Sequence, residues 1–262
     1  MDDLGDRMKM FEDIPNIKVM PLTPVCVRLD GKAFHGFTRN MNRPFDEKFK
    51  ACMEDTARHL LEAYNANLAY TQSDEISLIF LQESINMSLV FSGRVQKICS
   101  VFASQATIHF NEMVQSLELT GSGPKPSFDC RVWNLPNITE VTNYLVWREQ
   151  DAVRNSIQMA ARAVFSHNKC NNKNCKELQE MLFQEKSINW NDYESRHKRG
   201  TYIRCVKTKR KFTADELDKL PPKHNARTNP DLEFDRTDAK ILVALPILSK
   251  IPIEERVGIL FR

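Results

Sequence analysis

The order of elements in the sequence predicts an α+β fold: a ferredoxin-like palm, with an antiparallel sheet and helices on one face, followed by a C-terminal α/β extension. Three observations predict it. A β-branched-rich run from Val25 ends on Asp30-Gly31, a helical apolar period fills Asp46 to Tyr64, and two short strands, Leu68 to Thr71 and Ile76 to Phe80, flank Ser73-Asp74-Glu75. A second helix and a further strand complete a strand-helix-strand-strand-helix-strand series through Trp133. The boundary is expected near Pro136, giving residues 1–136 as the palm and 137–262 as a helical and strand extension packed on it.

Each element follows from local pattern. Met8, Phe11 and Ile14 recur at helical spacing before Pro15, which predicts a short leading helix. The glycine in Asp30-Gly31 lets the chain turn sharply at the strand's end and approach a ligand closely. Phe49, Cys52, Met53, Ala57, Leu60, Leu61 and Tyr64 mark one buried helical face. Val95, Ile98, Phe102, Ala106, Phe110, Met113 and Leu117 mark another, in a helix over 94–117. Phe128 to Trp133 reads as a strand, and Asn137 with Glu140 opens a long helix to about Phe165 as a capping-box-like pair. A short helix over 176–185 follows an Asn-rich loop; strands are expected at Thr201 to Val206 and Ile241 to Leu245, with a closing helix from Pro252 to Phe261. Leu220 to Pro230 is the least ordered stretch by composition.

The strand-helix-strand crossover makes its two strands parallel, so the end of the first strand and the hairpin tip fall on the same sheet edge. Asp30 and Asp74 should therefore be neighbours. Adjacent strands lie about 4.8 Å apart and paired metal ions in phosphoryl-transfer sites roughly 3.5–4 Å apart, so the two acids can bridge such a pair. Without cations, two carboxylates about 4 Å apart repel by around 4 kcal/mol at an effective dielectric near 20. Magnesium is the expected ion, since it takes oxygen ligands and is held by one or two carboxylates plus substrate phosphates. Gly31 to Thr38, with Lys32 and His35, offers backbone and side-chain donors for a triphosphate. Arg94 and Lys97 sit in the first turn of their helix, where cations oppose the dipole and favour an anionic ligand, and Arg131 is placed to reach the same edge.

Composition narrows the remaining classes. The 262 residues carry 42% hydrophobic residues, enough for a sizeable core, and the longest apolar run, Ile241 to Leu248, falls well short of the roughly 20 residues of a membrane span. Neither a basic start nor an apolar core marks the first residues, so a cytoplasmic, soluble protein is expected. Seven cysteines scattered through apolar segments read as reduced core residues. His167, Cys170 and Cys175 could supply three zinc ligands, but no clear fourth accompanies them, and a plain surface loop is expected. The net charge is only +3, yet Arg196 to Lys211 holds eight Lys and Arg and no acid, a candidate footprint for a phosphate backbone.

Four stretches carry a resemblance. Arg28-Leu29-Asp30-Gly31-Lys32-Ala33-Phe34-His35-Gly36-Phe37-Thr38, Tyr70-Thr71-Gln72-Ser73-Asp74-Glu75, Phe128-Asp129-Cys130-Arg131-Val132 and Tyr144-Leu145-Val146-Trp147-Arg148 together resemble the tRNA-His guanylyltransferase family, including its guanylyltransferase-like branch. The resemblance runs from about residue 5 to Gly200. It implies an enzyme that adds nucleotides to the 5′ end of tRNA in the 3′-to-5′ direction, after adenylylation of a 5′-monophosphate by ATP, with GTP or other nucleoside triphosphates as substrates. By that likeness Asp30 and Asp74 hold two magnesium ions, the Gly31 carbonyl is a further ligand, and Glu75 assists. Gly31, Lys32, Ala33, Phe34, His35 and Ser73 would hold a triphosphate, and Arg94, Lys97 and Arg131 a second phosphate group. A homotetramer with tRNA threaded between subunits is implied, with tRNA contacts expected from Arg154, Asn155, Lys198, Arg199, Lys207, Lys209 and Arg210.

One departure stands out. Where histidine-tRNA-specific members carry His-x-Asn-Asn, this chain has Val153-Arg154-Asn155-Ser156, keeping the first asparagine and lacking the histidine. That favours the branch that repairs 5′-truncated tRNAs over strict guanylylation of tRNA-His. More distant alternatives are a nucleotide cyclase on the same palm and a tRNA-binding paralogue without activity.

Overall fold

The structure, a computed structural model, describes residues 3–229, 231, 233–242 and 245–261, the side chains of Phe234 and Arg236 excepted. Helix α1 spans Leu4–Asp13 and strand β1 Val25–Lys32. Helix α2 spans Glu47–Tyr64, strand β2 Leu68–Gln72 and strand β3 Glu75–Phe80. Helix α3 covers Val95–Ser116, strand β4 Ser127–Asn134 and helix α4 Ile138–Val164. Helix α5 is Cys175–Lys186, α6 Ser195–Arg199, β5 Thr201–Arg210, β6 Phe234–Ile241 and α7 Ile253–Phe261.

All six strands form one antiparallel sheet in the order β4-β1-β3-β2-β5-β6. β1 and β2 are parallel to each other with β3 between them, because both pair β3 antiparallel. The expected mixed fold with an antiparallel sheet is present, and the residues beyond Gly200 extend that sheet. Val27, Leu29, Ile76 and Leu78 pack one face against α2 and α3 through Met53, Leu60, Phe102 and Phe110. On the other face Cys26, Ile79 and Tyr70 meet Val141, Tyr144 and Leu145 of α4 and Leu260 of α7. Helices therefore cover both faces once α4 is included, where the sequence placed those of the palm on one.

Caps set the helix boundaries. The Asp46 carboxylate accepts the Phe49 amide at 2.9 Å to open α2, and Asn137 accepts that of Glu140 at 2.9 Å to open α4. Asn65, left-handed at φ 53°, ends α2. Differences from the sequence reading gather in the tail. β5 continues to Arg210, and the last strand lies at Phe234–Ile241. In the expected strand Ile241 to Leu245, Val243 and Ala244 lie outside the described residues, and the described strand stops at Ile241. β6 pairs the polar half of β5, Lys207 with Thr237 and Lys209 with Asp235, so its ladder, and not apolar composition, marks the strand. Within the stretch read as least ordered, Asn225–Thr228 forms one helical turn; Pro230 lies outside the described residues. No helix among the described residues is long and apolar enough to cross a membrane.

Candidate active site

The face of the sheet beneath α4 changes character along the strands. Registers place Cys26, Ile79 and Trp133 in one apolar row, Arg28, Ser77 and Arg131 in the next, and Asp30, Glu75 and Asp129 in the last. Side chains alternate faces along a strand, so these three rows share a side while Leu29, Ile76 and Cys130 point the other way. The sheet thus carries an apolar-to-acidic gradient that ends at one edge.

Asp74 joins that edge from the β2–β3 turn, where Ser73 is left-handed at φ 49°. Gly31 makes the approach possible, since a Cβ there would lie 2.8 Å from both Cβ and Oδ2 of Asp74. Asp30, one residue earlier and Glu75's register partner, acts on the Asp74 carboxyl as a like charge. Burial is the largest influence pushing the Asp74 carboxyl up, joined by Asp30 and opposed by the turn's own amide and the Ser73 hydroxyl. Asp30 and Asp74 thus lie at the same end of the sheet, close enough for the Asp30 charge to act on the Asp74 carboxyl. Arg131 faces Asp30 from β4, with Nη2 at 3.6 Å from Asp30 and 3.7 Å from Asp129.

Glu75 has a different environment. It is buried, and Arg148 of α4 clasps it with Nε at 2.8 Å and Nη2 at 2.7 Å. The same guanidinium donates to Asp151 at 2.8 Å and lies 4.4 Å from the Trp147 ring centroid. Burial raises the Glu75 carboxyl and Arg148 pulls it back. With its oxygens so engaged, Glu75 fixes α4 against the hairpin and stands behind the two aspartates. Arg148 was visible only as part of the Tyr144 to Arg148 motif; its role follows from a partner 73 residues away.

A cleft of about 610 Å³ opens beside Asp74, lined by His35, Thr38, Ser73 and Asp74 on one side and Met159 and Arg162 of α4 on the other. Among the expected triphosphate residues, His35 and Ser73 line this cleft, and Lys32 and Ala33 are exposed at the edge beside Gly31, Ala33 left-handed at φ 69°. Phe34 can take part only through its backbone, since its ring is buried against Phe37, Phe49, Phe110 and Phe128. An aromatic in a loop-like pattern gave no sign of this, because Phe34–Phe37 turns inward as a short helix.

Arg94 and Lys97 are corrected as partners of Arg131 within one chain. Arg94 forms a β-bridge with Lys18, two residues before Met20, whose amide donates to Asn134, the register partner of Val25 and not of Asp30. The five-residue step from Val25 to Asp30 spans roughly 17 Å, so these cations stand at the opposite end of the sheet. They line a groove with Asp6, Glu12 and Asp13 of α1.

The residues assigned to tRNA divide in two. Lys207 and Lys209 are exposed on β5. Arg210 is instead held by Glu216 and Asp238, with contacts of 2.7 to 3.2 Å, and so is already neutralised within the chain. Arg154 pairs with Asp151, Asn155 reaches the same carboxylate at 3.4 Å, Lys198 donates to the Asn191 carbonyl and Arg199 to Ser195 and the Leu245 carbonyl. His167, Cys170 and Cys175 do not gather: among the described residues no group of three or more His, Cys, Asp or Glu is placed to hold a metal.

Comparison with known proteins identifies the family. The sequence model of the family "Thg1: tRNAHis guanylyltransferase" matches residues 5–136. The tRNA(His) guanylyltransferase of Kluyveromyces lactis is 30% identical over 203 residues, covering 71% of this chain and 84% of that protein. A bacterial tRNA(His) guanylyltransferase (Thg1)-like protein in complex with ATP superposes with a TM-score of 0.79 at 34% identity, covering 99% of each chain. A complex with GTP under the same protein name gives 0.71 at 34% identity, covering 95% of each. With motifs, sheet edge and relatives in agreement, the chain is a nucleotidyltransferase belonging to the tRNAHis guanylyltransferase family.

Proposed function

We propose that this protein is a magnesium-dependent nucleotidyltransferase that adds nucleotides to the 5′ end of tRNA in the 3′-to-5′ direction, after adenylylation of the 5′-phosphate, and that it repairs 5′-truncated tRNAs on a template. The observation that carries this reading is the close approach of Asp74 to Gly31, which brings it within reach of the Asp30 charge and beside a cleft that Asp74 lines. Two carboxylates and the Gly31 carbonyl are hard oxygen donors, a set that suits magnesium completed by substrate phosphates. When bound, the ions polarise phosphoryl oxygens and offset charge on the transferring group. Asp30 and Asp74 would hold them, Ser73 steadies Asp74, and Glu75 with Arg148 fixes the hairpin.

The β4-β1-β3-β2 order with α2 and α3 on one face supports the palm reading of residues 1–136, with 137–262 as the tRNA-contacting extension. The nucleotides bound by the bacterial neighbours support ATP and GTP as ligands here. Lys207 and Lys209 are exposed cations suited to a phosphate backbone. The repair reading is favoured by Val153-Arg154-Asn155-Ser156, in which Arg154 and Asn155 both turn to Asp151. A homotetramer fits the separation of Arg94 and Lys97 from the acids, which lets a second copy bring them together, and α1, which buries no residue and exposes Leu4, Met8, Met10 and Phe11.

Incubation of the protein with magnesium, nucleoside triphosphates and either full-length tRNA-His lacking its extra guanosine or several 5′-truncated tRNAs tests this. Extension of truncated substrates in general is the expected result. Extension of tRNA-His alone would assign the strict guanylyltransferase role, and cyclic product without RNA would overturn the tRNA reading.

A further inference from the structure

Lys50 lies in the first turns of α2, where the apolar period calls for a side chain facing the sheet, and it is only 6% exposed. Its Nζ is 3.7 Å from Glu54 Oε1 and donates to the Thr71 carbonyl at 3.5 Å. Glu54, itself 4% exposed, also accepts from Thr201 Oγ1 at 2.6 Å and from Arg196 at 3.0 Å. Arg196 continues to Glu47. A buried ammonium is a costly choice for such a position unless its charge has a use.

The use is indicated by what the ammonium touches. Thr71 is the penultimate residue of β2, three before Asp74, and its hydroxyl donates to the Glu75 carbonyl at 2.9 Å, closing the turn. The same Thr71 carbonyl is approached from the other side by Gly200, where a Cβ would lie 2.7 Å away. Lys50 and Ser73 further line a small cavity with Asp46, Asn155 and Ser156, and that cavity shares Ser73 and Asp46 with the cleft beside the acids.

We propose that Lys50 is a positioning residue for the active site: its ammonium, held by Glu54, fixes the Thr71 carbonyl and so sets the Ser73–Asp74 turn that presents a metal-binding carboxylate. This rests on the functional reading above, in which Asp74 holds metal. Burial pushes the Lys50 ammonium down to about 8, with Glu54 opposing and Arg196 reinforcing the shift. The charged groups around it are Glu47, Glu54 and Asp46 of α2 and its cap, and Arg196 and His197 of α6; Asp74 lies beyond Ser73. As pH rises through about 8 the ammonium becomes an amine, Glu54 keeps only Arg196 as a cation, and the turn loosens.

The test compares the full-length wild type with Lys50→Met and Lys50→Arg, measuring nucleotide addition to a truncated tRNA from pH 6.5 to 9.5 and, separately, Mn²⁺ affinity by electron paramagnetic resonance. Lys50→Met should lower kcat by about 10–100-fold, the range for residues behind metal ligands, with little change in KM for tRNA, and should weaken Mn²⁺ binding. It should also lose the alkaline fall near pH 8. Lys50→Arg, which does not titrate in this range, should keep Mn²⁺ affinity and carry activity to higher pH. Unchanged kcat and Mn²⁺ affinity in Lys50→Met, or an unmoved alkaline limb in Lys50→Arg should Lys50→Met fail to fold, overturns the inference alone. A wild type that binds no Mn²⁺ and adds no nucleotide overturns the functional reading, and this inference with it.

Discussion

The two ends of the central sheet are built by different rules. At the acid end, Asp30, Asp74 and Glu75 are fixed by strand register, a two-residue turn, a glycine with no room for a side chain and a buried arginine. At the far end, Arg94 and Lys97 face α1, a helix that buries none of its residues. The first end is held in place by packing within one chain. The second is an arrangement of charge and exposed apolar surface that one chain leaves uncovered. Groups that must meet substrate atoms at fixed distances sit where backbone geometry leaves no freedom, and groups that attract phosphate by charge alone can stand where it leaves more.

Breaking the acid end should have the largest effect. Asp30→Ala and Asp74→Ala are each expected to lower nucleotide addition by at least about 100-fold, on the scale of losing a transition-state electrostatic partner, while leaving tRNA binding by filter retention nearly unchanged. Retained turnover in both would remove the metal assignment. Next is the clasp behind it: Arg148→Ala strands the buried Glu75 carboxylate, and losing one partner of such a pair costs about 3–5 kcal/mol, readable as a lower midpoint in urea. Glu75→Gln with Arg148→Met should recover much of that stability without recovering activity, because the two variants remove the charges together.

The far end calls for a mixing experiment. If Arg94 and Lys97 serve the acids of a second copy, Asp74→Ala and the Arg94→Ala, Lys97→Ala double variant, each inactive alone, should regain activity when co-assembled. Continued inactivity of mixed oligomers would confine those cations to a structural role. The smallest effect is expected on β5. Lys207→Ala with Lys209→Ala should reduce the salt dependence of tRNA binding by roughly one to two counterions, whereas Arg210→Ala, whose guanidinium is already paired with Glu216 and Asp238, should leave that slope unchanged.

The same contrast explains what could be read from sequence. Register and crossover rules bring Asp30 to Asp74 because strand pairing is periodic and a one-residue slip would turn every apolar residue of β1 outward. The cap at Asn137 was legible for the same local reason. Arg148 was not, since its carboxylate partner is brought to it only when α4 crosses the second face of the sheet. The burial of the Phe34 ring was not legible, because its aromatic neighbours Phe110 and Phe128 come from distant elements. Basic runs misled most: Arg196, Arg199 and Arg210 look free in a line of residues, and each is tied to a group far along the chain or around a turn.

The most direct test of the account is a crystal grown with Mn²⁺ in place of magnesium and a non-hydrolysable nucleoside triphosphate, read by anomalous scattering. The account predicts metal peaks between Asp30 and Asp74, at oxygen distances of about 2.0–2.2 Å, with the triphosphate in the cleft by His35 and Ser73. Metal and nucleotide bound elsewhere, with both aspartates free of ligand, would contradict it.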